Sequence, residues 1–289
     1  MDINIDLRKE KRDYANVYAN IKKVLNYMMI IIVCLIFIGP FAWMFLTSFK
    51  SLGETLLFPP TIIPKEWHPE NYIKAWQSGP FLRYLLNSVI VTVSIIVLQC
   101  LTIIPAAYAF ARYEFKGKNF LFFIVMLTMM IPAQLIFLPL FLMMSKMSLI
   151  NTYLSLILPF ASSAFGIFLL RQRFMQIPDE LIEAAKLDNA SDVTILYKIM
   201  LPQAKSTLVT FILFSFISNW NDYFWPLVMT TKDTVRTLPL GVSMLKSTMD
   251  GISWNVLMAG NMILVVPIIL IFLLAQKRII DAFVYTGIK

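Results

Sequence analysis

The chain has a single histidine, His68, in 289 residues, so no site that needs several histidines, metal or catalytic, can form in it. It has two cysteines, Cys34 and Cys100, each inside a long apolar run. Cysteines so placed read as small buried hydrophobes, not as a disulfide framework or a metal site. Charge is scarce: Asp, Glu, Lys and Arg together make up 15% of the chain. Glycine is scarce as well, at nine residues, and no loop of the form GxxxxGK followed by Ser or Thr occurs. The chain therefore cannot be its own ATPase of that type. Paired carboxylates and His/Cys clusters are missing from the apolar runs, which ranks an intramembrane enzyme last.

What the chain has in quantity is apolar residues, at 58% with a mean hydropathy of +0.72. That is well above a soluble domain and indicates an all-α, polytopic membrane helix bundle. Six runs match the roughly 20 residues that a bilayer crossing needs. They are Val24–Thr47, Leu86–Ala111, Asn119–Met144, Met147–Leu170, Ser206–Thr231 and Gly251–Gln276. The first is full length and carries no cleavage pattern, so it is expected to be retained. Every run holds proline: Pro40, Pro105, Pro132, Pro139, Pro159, Pro226 and Pro267. Membrane helices tolerate it and kink there.

The basic residues orient the bundle. With the N-terminus inside, the inner segments 1–23, 112–118, 171–205 and 277–289 hold six, three, five and three of the 25 Lys and Arg. The outer segments 48–85, 146 and 232–250 hold four, one and three. The positive-inside rule places both termini, and the stretch before Pro202, in the cytoplasm. The net charge of +8 is thus accounted for by orientation, and no nucleic-acid partner is implied.

The longest polar passage of the second half, Glu183–Pro202, reads EAAKLDNASDVTILYKIMLP. Pro178, Asp179 and Glu180 suit a helix start. Leu181, Ala184 and Ala185 would share a face, and Asn189 tolerates the left-handed backbone that ends a helix. Ser191 can cap a second helix, in which Val193, Leu196, Tyr197, Met200 and Leu201 form an amphipathic stripe. The series Glu183-Ala184-Ala185, Asp188-Asn189-Ala190 and Leu201-Pro202 resembles the EAA motif of ABC-importer permease subunits, with Asn189 where glycine is usual. Asn87-Ser88, Ala106–Arg112, MMIPAQLIFLPLF and Leu158-Pro159 resemble the carbohydrate-uptake permeases, similar to the maltose and glycerol-phosphate types. So does the C-terminal tail, although glycine is frequent where Ala282 stands.

The resemblance implies a coupling helix between the fourth and fifth spans, carried by Glu183, Ala184, Ala185, Asp188, Asn189, Leu201 and Pro202. It implies cytoplasmic ATPase subunits, a second related permease, an extracytoplasmic solute-binding protein and a sugar substrate. ATP with Mg would sit in the ATPase partner, and this chain would bind no cofactor itself. The expected layout is a cytoplasmic segment 1–23, a first span 24–47, an outer loop 48–85, a five-helix core 86–276 with the loop at 178–202, and a tail 277–289. The outer loop reads as irregular, with a short helix near Asn71–Trp76, and is either a docking platform or a linker.

Asp222 is the only charge in any run, and a charge there is a functional-site hypothesis. It lies about 24 Å along the fifth run from Ser206, near the outer face. Asn219, Trp220, Asn221, Asp222 and Tyr223 are therefore substrate-path candidates, or else a helix anchor with Trp220, Tyr223 and Trp225 in an aromatic belt. An ion-coupled secondary transporter is the lesser alternative: it would need ionisable groups at midplane, and the runs offer Asp222 alone, placed off-centre. A permease for glycerol phosphate or another polar solute stays open.

Overall fold

The computed structural model of this chain describes residues 3–246 and 251–284. All regular structure among the described residues is helical. Four helices are long and apolar enough to cross a bilayer: Asn20–Ser48, Phe81–Arg112, Tyr153–Met175 and Trp254–Gln276. Two bent pairs raise the number to six, Lys118–Met130 with Gln134–Lys146 and Asp192–Gln203 with Lys205–Trp220. The tail from 285 lies outside the described residues.

Several boundaries move. The first helix begins at Ile3 and runs unbroken to Ser48, because nothing in 1–23 stops it. The second begins at Phe81, after Gly79-Pro80, and not at Leu86. The third run is two helices bent by 100°. Pro132 forces that break: Ile131 before it takes an extended conformation, φ −82° and ψ 117°. The fourth run starts at Tyr153, after a turn in which Ser148 and Asn151 take left-handed φ of 57° and 64°. The fifth run ends at Trp220, and a separate short helix follows at Phe224–Met229. Pro40, Pro105, Pro139 and Pro267 lie inside continuous helices, whereas Pro132, Pro159 and Pro226 sit at breaks or irregular turns.

Two compact units form. The smaller is residues 1–72 with 253–262. Its apolar side chains from Val24 to Phe41 are exposed, Cys34 among them. The expectation of a buried Cys34 is therefore overturned, since this stretch is covered by none of the described residues and would face lipid or another subunit. The start of the outer loop is folded here. Asn71 donates to the carbonyls of Ser48 and Lys50, both at 2.9 Å, and its Oδ1 accepts from Asn255 at 3.0 Å. Glu54 is buried and accepts from the Thr61 hydroxyl at 2.7 Å and from Lys65 N at 3.1 Å. Lys50, also buried, donates to the Thr61 carbonyl and sits 4.5 Å from the centre of the Trp43 ring. Polar groups buried this fully persist only because each has a partner.

The larger unit is residues 73–252 with 263–289. The Phe81–Arg112 helix is its axis and packs on Ala164–Met175 and Lys205–Trp220. Near its N-terminal end Asn87 donates to the carbonyls of Thr234 and Arg236, at 3.1 and 2.8 Å, and Ser88 accepts from Leu238 N at 2.7 Å. These bonds hold down the loop after the short Phe224–Met229 helix. Asn151 accepts from Thr231 N at 2.7 Å and pins the other end of that loop.

Gly166 sets the closeness of the three central helices. A Cβ there would lie 2.7 Å from the Phe211 ring and 2.9 Å from Ile103 Cδ1. Close helix approach of this kind depends on small residues. Gly166→Val is expected to destabilise the packing by about 1–3 kcal/mol. A thermal unfolding midpoint in detergent equal to wild type would contradict that.

Candidate functional site

The elbow before Pro202 is built from local rules. Pro178 precedes the Asp179–Leu187 helix, with Asp179 and Glu180 in its first turn. Asn189 takes φ 56° just past the end. Asn189 N donates to Lys186 O and Ala190 N to Ala185 O, both at 3.0 Å, a Schellman closure. Ser191 Oγ then accepts from Thr194 N at 3.3 Å and starts the second helix.

Which residues face inward differs from the stripes expected. Ile182 and Ala185 are buried in the first helix, while Leu181 and Ala184 are exposed. In the second, Ile195, Leu196 and Met200 are buried, Leu201 is half-buried, and Val193 and Tyr197 are exposed. The reason is a π-helical stretch over Ile195–Met200. Its wider turn aligns residues five apart, which brings Ile195 and Met200 to the same side. The buried set joins one cluster with Ile103, Tyr108, Leu170 and Phe174.

The outward face holds Glu183, Ala184, Leu187, Asp188 and Val193. Leu187 is 84% exposed and Val193 66% exposed, an unusual waste of apolar side chain for an unpartnered surface. Of the expected coupling residues, Glu183, Ala184, Asp188, Asn189 and Pro202 are exposed, and Ala185 and Leu201 belong to the packing beneath.

The elbow is tied to the helices above it. Arg112, at the end of the Phe81–Arg112 helix, pairs with Asp179 and donates through Nη2 to the carbonyls of Phe174, at 2.6 Å, and Ile177. Arg173 Nε donates to Gln203 O at 3.2 Å, and Arg171 Nε to Phe110 O at 3.0 Å. Desolvation, and Asp192 beside it, hold the Tyr113 phenol up at about 12, so it stays protonated facing that carboxylate.

The second site is a groove along the Lys205–Trp220 helix. Two hollows of about 300 and 490 Å³ share Phe160, Ser218 and Asn219. The first also takes in Gln134, Phe137, Asp222 and Trp225. The second takes in Gln99, Ser163, Phe165 and Ser215. Gln134 follows the Pro132 break and Asp222 lies in the break after Trp220, so both helix interruptions border one hollow. Irregular backbone at membrane depth is tolerated where it lines a cavity.

The polar groups of the groove orient one another. Ser215 Oγ donates to Gln99 Oε1 at 2.5 Å, Gln99 Nε2 donates to Phe160 O at 3.0 Å, and Asn219 Nδ2 donates to Ser215 O at 2.7 Å. Asp222 Oδ1 accepts from Trp225 N at 3.3 Å. Asn219 and Asp222 therefore line the groove. Trp220 does not: it is buried, stacked on Phe216, and donates to Leu264 O at 3.0 Å. Trp225 is buried too, donating to Ser155 O at 2.8 Å. The aromatic-belt reading thus fails for both tryptophans. Asn221 is exposed and donates to Ile217 O at 2.8 Å, and exposed Tyr223 borders neither hollow. Gln99, Ser163, Ser215 and Ser218 were not among the sequence candidates. The available signal was Ser215, Ser218, Asn219 and Asp222 at three- and four-residue spacing, one polar helix face.

Residues 103–283 match the family described as binding-protein-dependent transport system inner membrane component. The arabinooligosaccharides transport system permease protein AraQ of Halalkalibacterium halodurans is 34% identical, covering 84% of this chain and 86% of its own. The diacetylchitobiose uptake system permease protein NgcG of Streptomyces coelicolor is 33% identical, covering 88% and 85%. The sn-glycerol-3-phosphate transport system permease protein UgpE of Yersinia pestis is 31% identical, covering 87% and 92%. Among solved structures, a bacterial ABC transporter that imports the acidic polysaccharide alginate superposes with a TM-score of 0.77 at 27% identity, covering 89% of this chain and 96% of that one.

Arg112 is the strongest single tie on the elbow. Arg112→Ala removes the partner of Asp179 and two carbonyl contacts, and is expected to cost about 2–4 kcal/mol locally, as charged hydrogen bonds do. Amide exchange over 174–187 should speed up by at least tenfold. Unchanged exchange there would show that the elbow is held by its apolar cluster alone.

Proposed function

The chain belongs to the family of binding-protein-dependent transport system inner membrane components, multi-pass permease subunits of the bacterial inner membrane. We propose that it moves a carbohydrate through the membrane as one of two permease subunits of an ATP-driven importer. Its relatives for arabino-oligosaccharides and diacetylchitobiose, by their names, support that solute class. ATP with Mg is held by separate cytoplasmic ATPase subunits. An extracytoplasmic binding protein delivers the solute, a reading supported by the family's description as binding-protein-dependent.

The observation that carries the reading is the elbow. It is capped at both turns, seated on a buried cluster, and presents Glu183, Ala184, Leu187 and Val193 outward. Glu183 has no hydrogen bond or ion pair among the described residues, so its charge is available to a partner. Both termini and the elbow lie in the cytoplasm, in keeping with the distribution of basic residues. Movement of the ATPase is passed to the Asp179–Leu187 helix and, through Arg112, to the Phe81–Arg112 helix that borders the groove at Gln99. Alternating access then follows from two arrangements whose balance is set outside this chain.

Replacing Glu183 with Lys and Ala184 with Arg tests the docking face without touching buried Ala185. The ATPase subunits should no longer co-purify with the membrane subunits, and uptake should fall by at least tenfold. Normal co-purification and uptake would remove the elbow from the contact.

A further inference from the structure

Resting on that carbohydrate-importer reading, we propose that the groove admits uncharged, hydroxyl-rich oligosaccharides and disfavours anionic solutes, with Asp222 as the residue that sets this choice. The relatives divide on this point by their names. Arabino-oligosaccharide and diacetylchitobiose are uncharged, whereas glycerol phosphate and alginate are anions.

Among the described residues, neither hollow has a Lys or Arg in its wall. Recognition of a carboxylate or phosphate inside a protein relies on such side chains or on a helix N-terminus with free N–H groups. Several basic groups elsewhere in the fold are already committed. Arg112 and Arg171 donate to backbone carbonyls, Arg236 is paired with Asp233, and Lys118 with Glu114. Three helices start at the groove: Phe224–Met229 has its Trp225 N–H taken by Asp222, Ala164–Met175 has its Gly166 N–H taken by Ser163, and Ala133–Lys146, after Pro132, has no side-chain cap. The groove therefore has no cationic group for an anion, and it has a carboxylate fixed in its wall. In a site partly screened from water, like charges repel far more strongly than in bulk solvent.

An uncharged sugar meets the opposite situation. Gln99, Gln134, Ser163, Ser218 and Asn219 offer amides and hydroxyls that both donate and accept. Phe160 and Trp225, packed edge to face with centroids 5.7 Å apart, present an apolar wall for the C–H faces of the rings. Asp222 can accept from a sugar hydroxyl, which a carboxylate or phosphate at neutral pH cannot supply.

The test is calorimetric titration of the assembled permease–ATPase complex at pH 7.5 and low salt, with the binding protein omitted. The probes are a linear arabinan pentasaccharide and a galacturonan pentasaccharide. The arabinan should bind at least about tenfold more tightly. In Asp222→Asn the ratio between the two should shrink at least threefold, because the amide keeps the shape and loses the charge. Galacturonan binding equal to or tighter than arabinan in the wild type overturns the inference and leaves the carbohydrate-importer reading standing. So does a ratio that Asp222→Asn leaves unchanged. Failure of both sugars to bind, in a complex whose ATPase responds to a different class of solute, removes the carbohydrate reading and this inference with it.

Discussion

A helix that stops at or inside a bilayer leaves carbonyls that no water can reach, and this constraint organises the molecule. The chain spends its few polar side chains on those ends. Arg112 closes the carbonyls of Phe174 and Ile177, Arg171 that of Phe110, and Arg173 that of Gln203. Asn221 does the same for Ile217, and Asn87 for Thr234 and Arg236 on the loop opposite. Each bond also joins two segments distant in sequence or adjoining a break, so that satisfying the backbone and fixing the architecture become one act. The scarcity of charge noted in the composition is therefore misleading about its importance.

The same constraint explains where the groove is. Pro132 interrupts one span and the Asn221–Tyr223 segment ends another. Both interruptions would be costly against lipid. They are tolerated because each borders a polar hollow, with Gln134 beside the first and Asp222 within the second. A polar hollow and a place for broken helices are thus the same feature. At the Asp179–Pro202 elbow the breaks are capped more conventionally, by the Schellman turn at Asn189 and by Ser191, which yields a compact elbow instead of a cavity.

One helix touches both the elbow and the groove. Phe81–Arg112 carries Arg112 at its C-terminal end, Gln99 at the groove and Asn87 near its N-terminal end. A displacement of the elbow relayed by Arg112 would reach both. Such coupling needs packed elements with more than one stable arrangement, and the close contact at Gly166 indicates how little slack the central packing leaves.

Much of this was open to sequence reasoning because it rests on local chemistry. Length and hydropathy of a run decide whether it can span a membrane, so the helical bundle was legible, and so was the elbow, whose turns at Asn189 and Ser191 obey short-range rules. Tertiary structure alone decided which faces turn inward. The π-helical turn at Ile195–Met200 moved the buried face off the expected stripe, and Trp220 and Trp225 left the membrane surface for internal partners. It also decided which polar residues share a site, bringing Gln99 to Ser215 across 116 positions of chain. Periodicity along one helix reports the existence of a polar face, but what that face meets is set by neighbours whose approach no local pattern encodes.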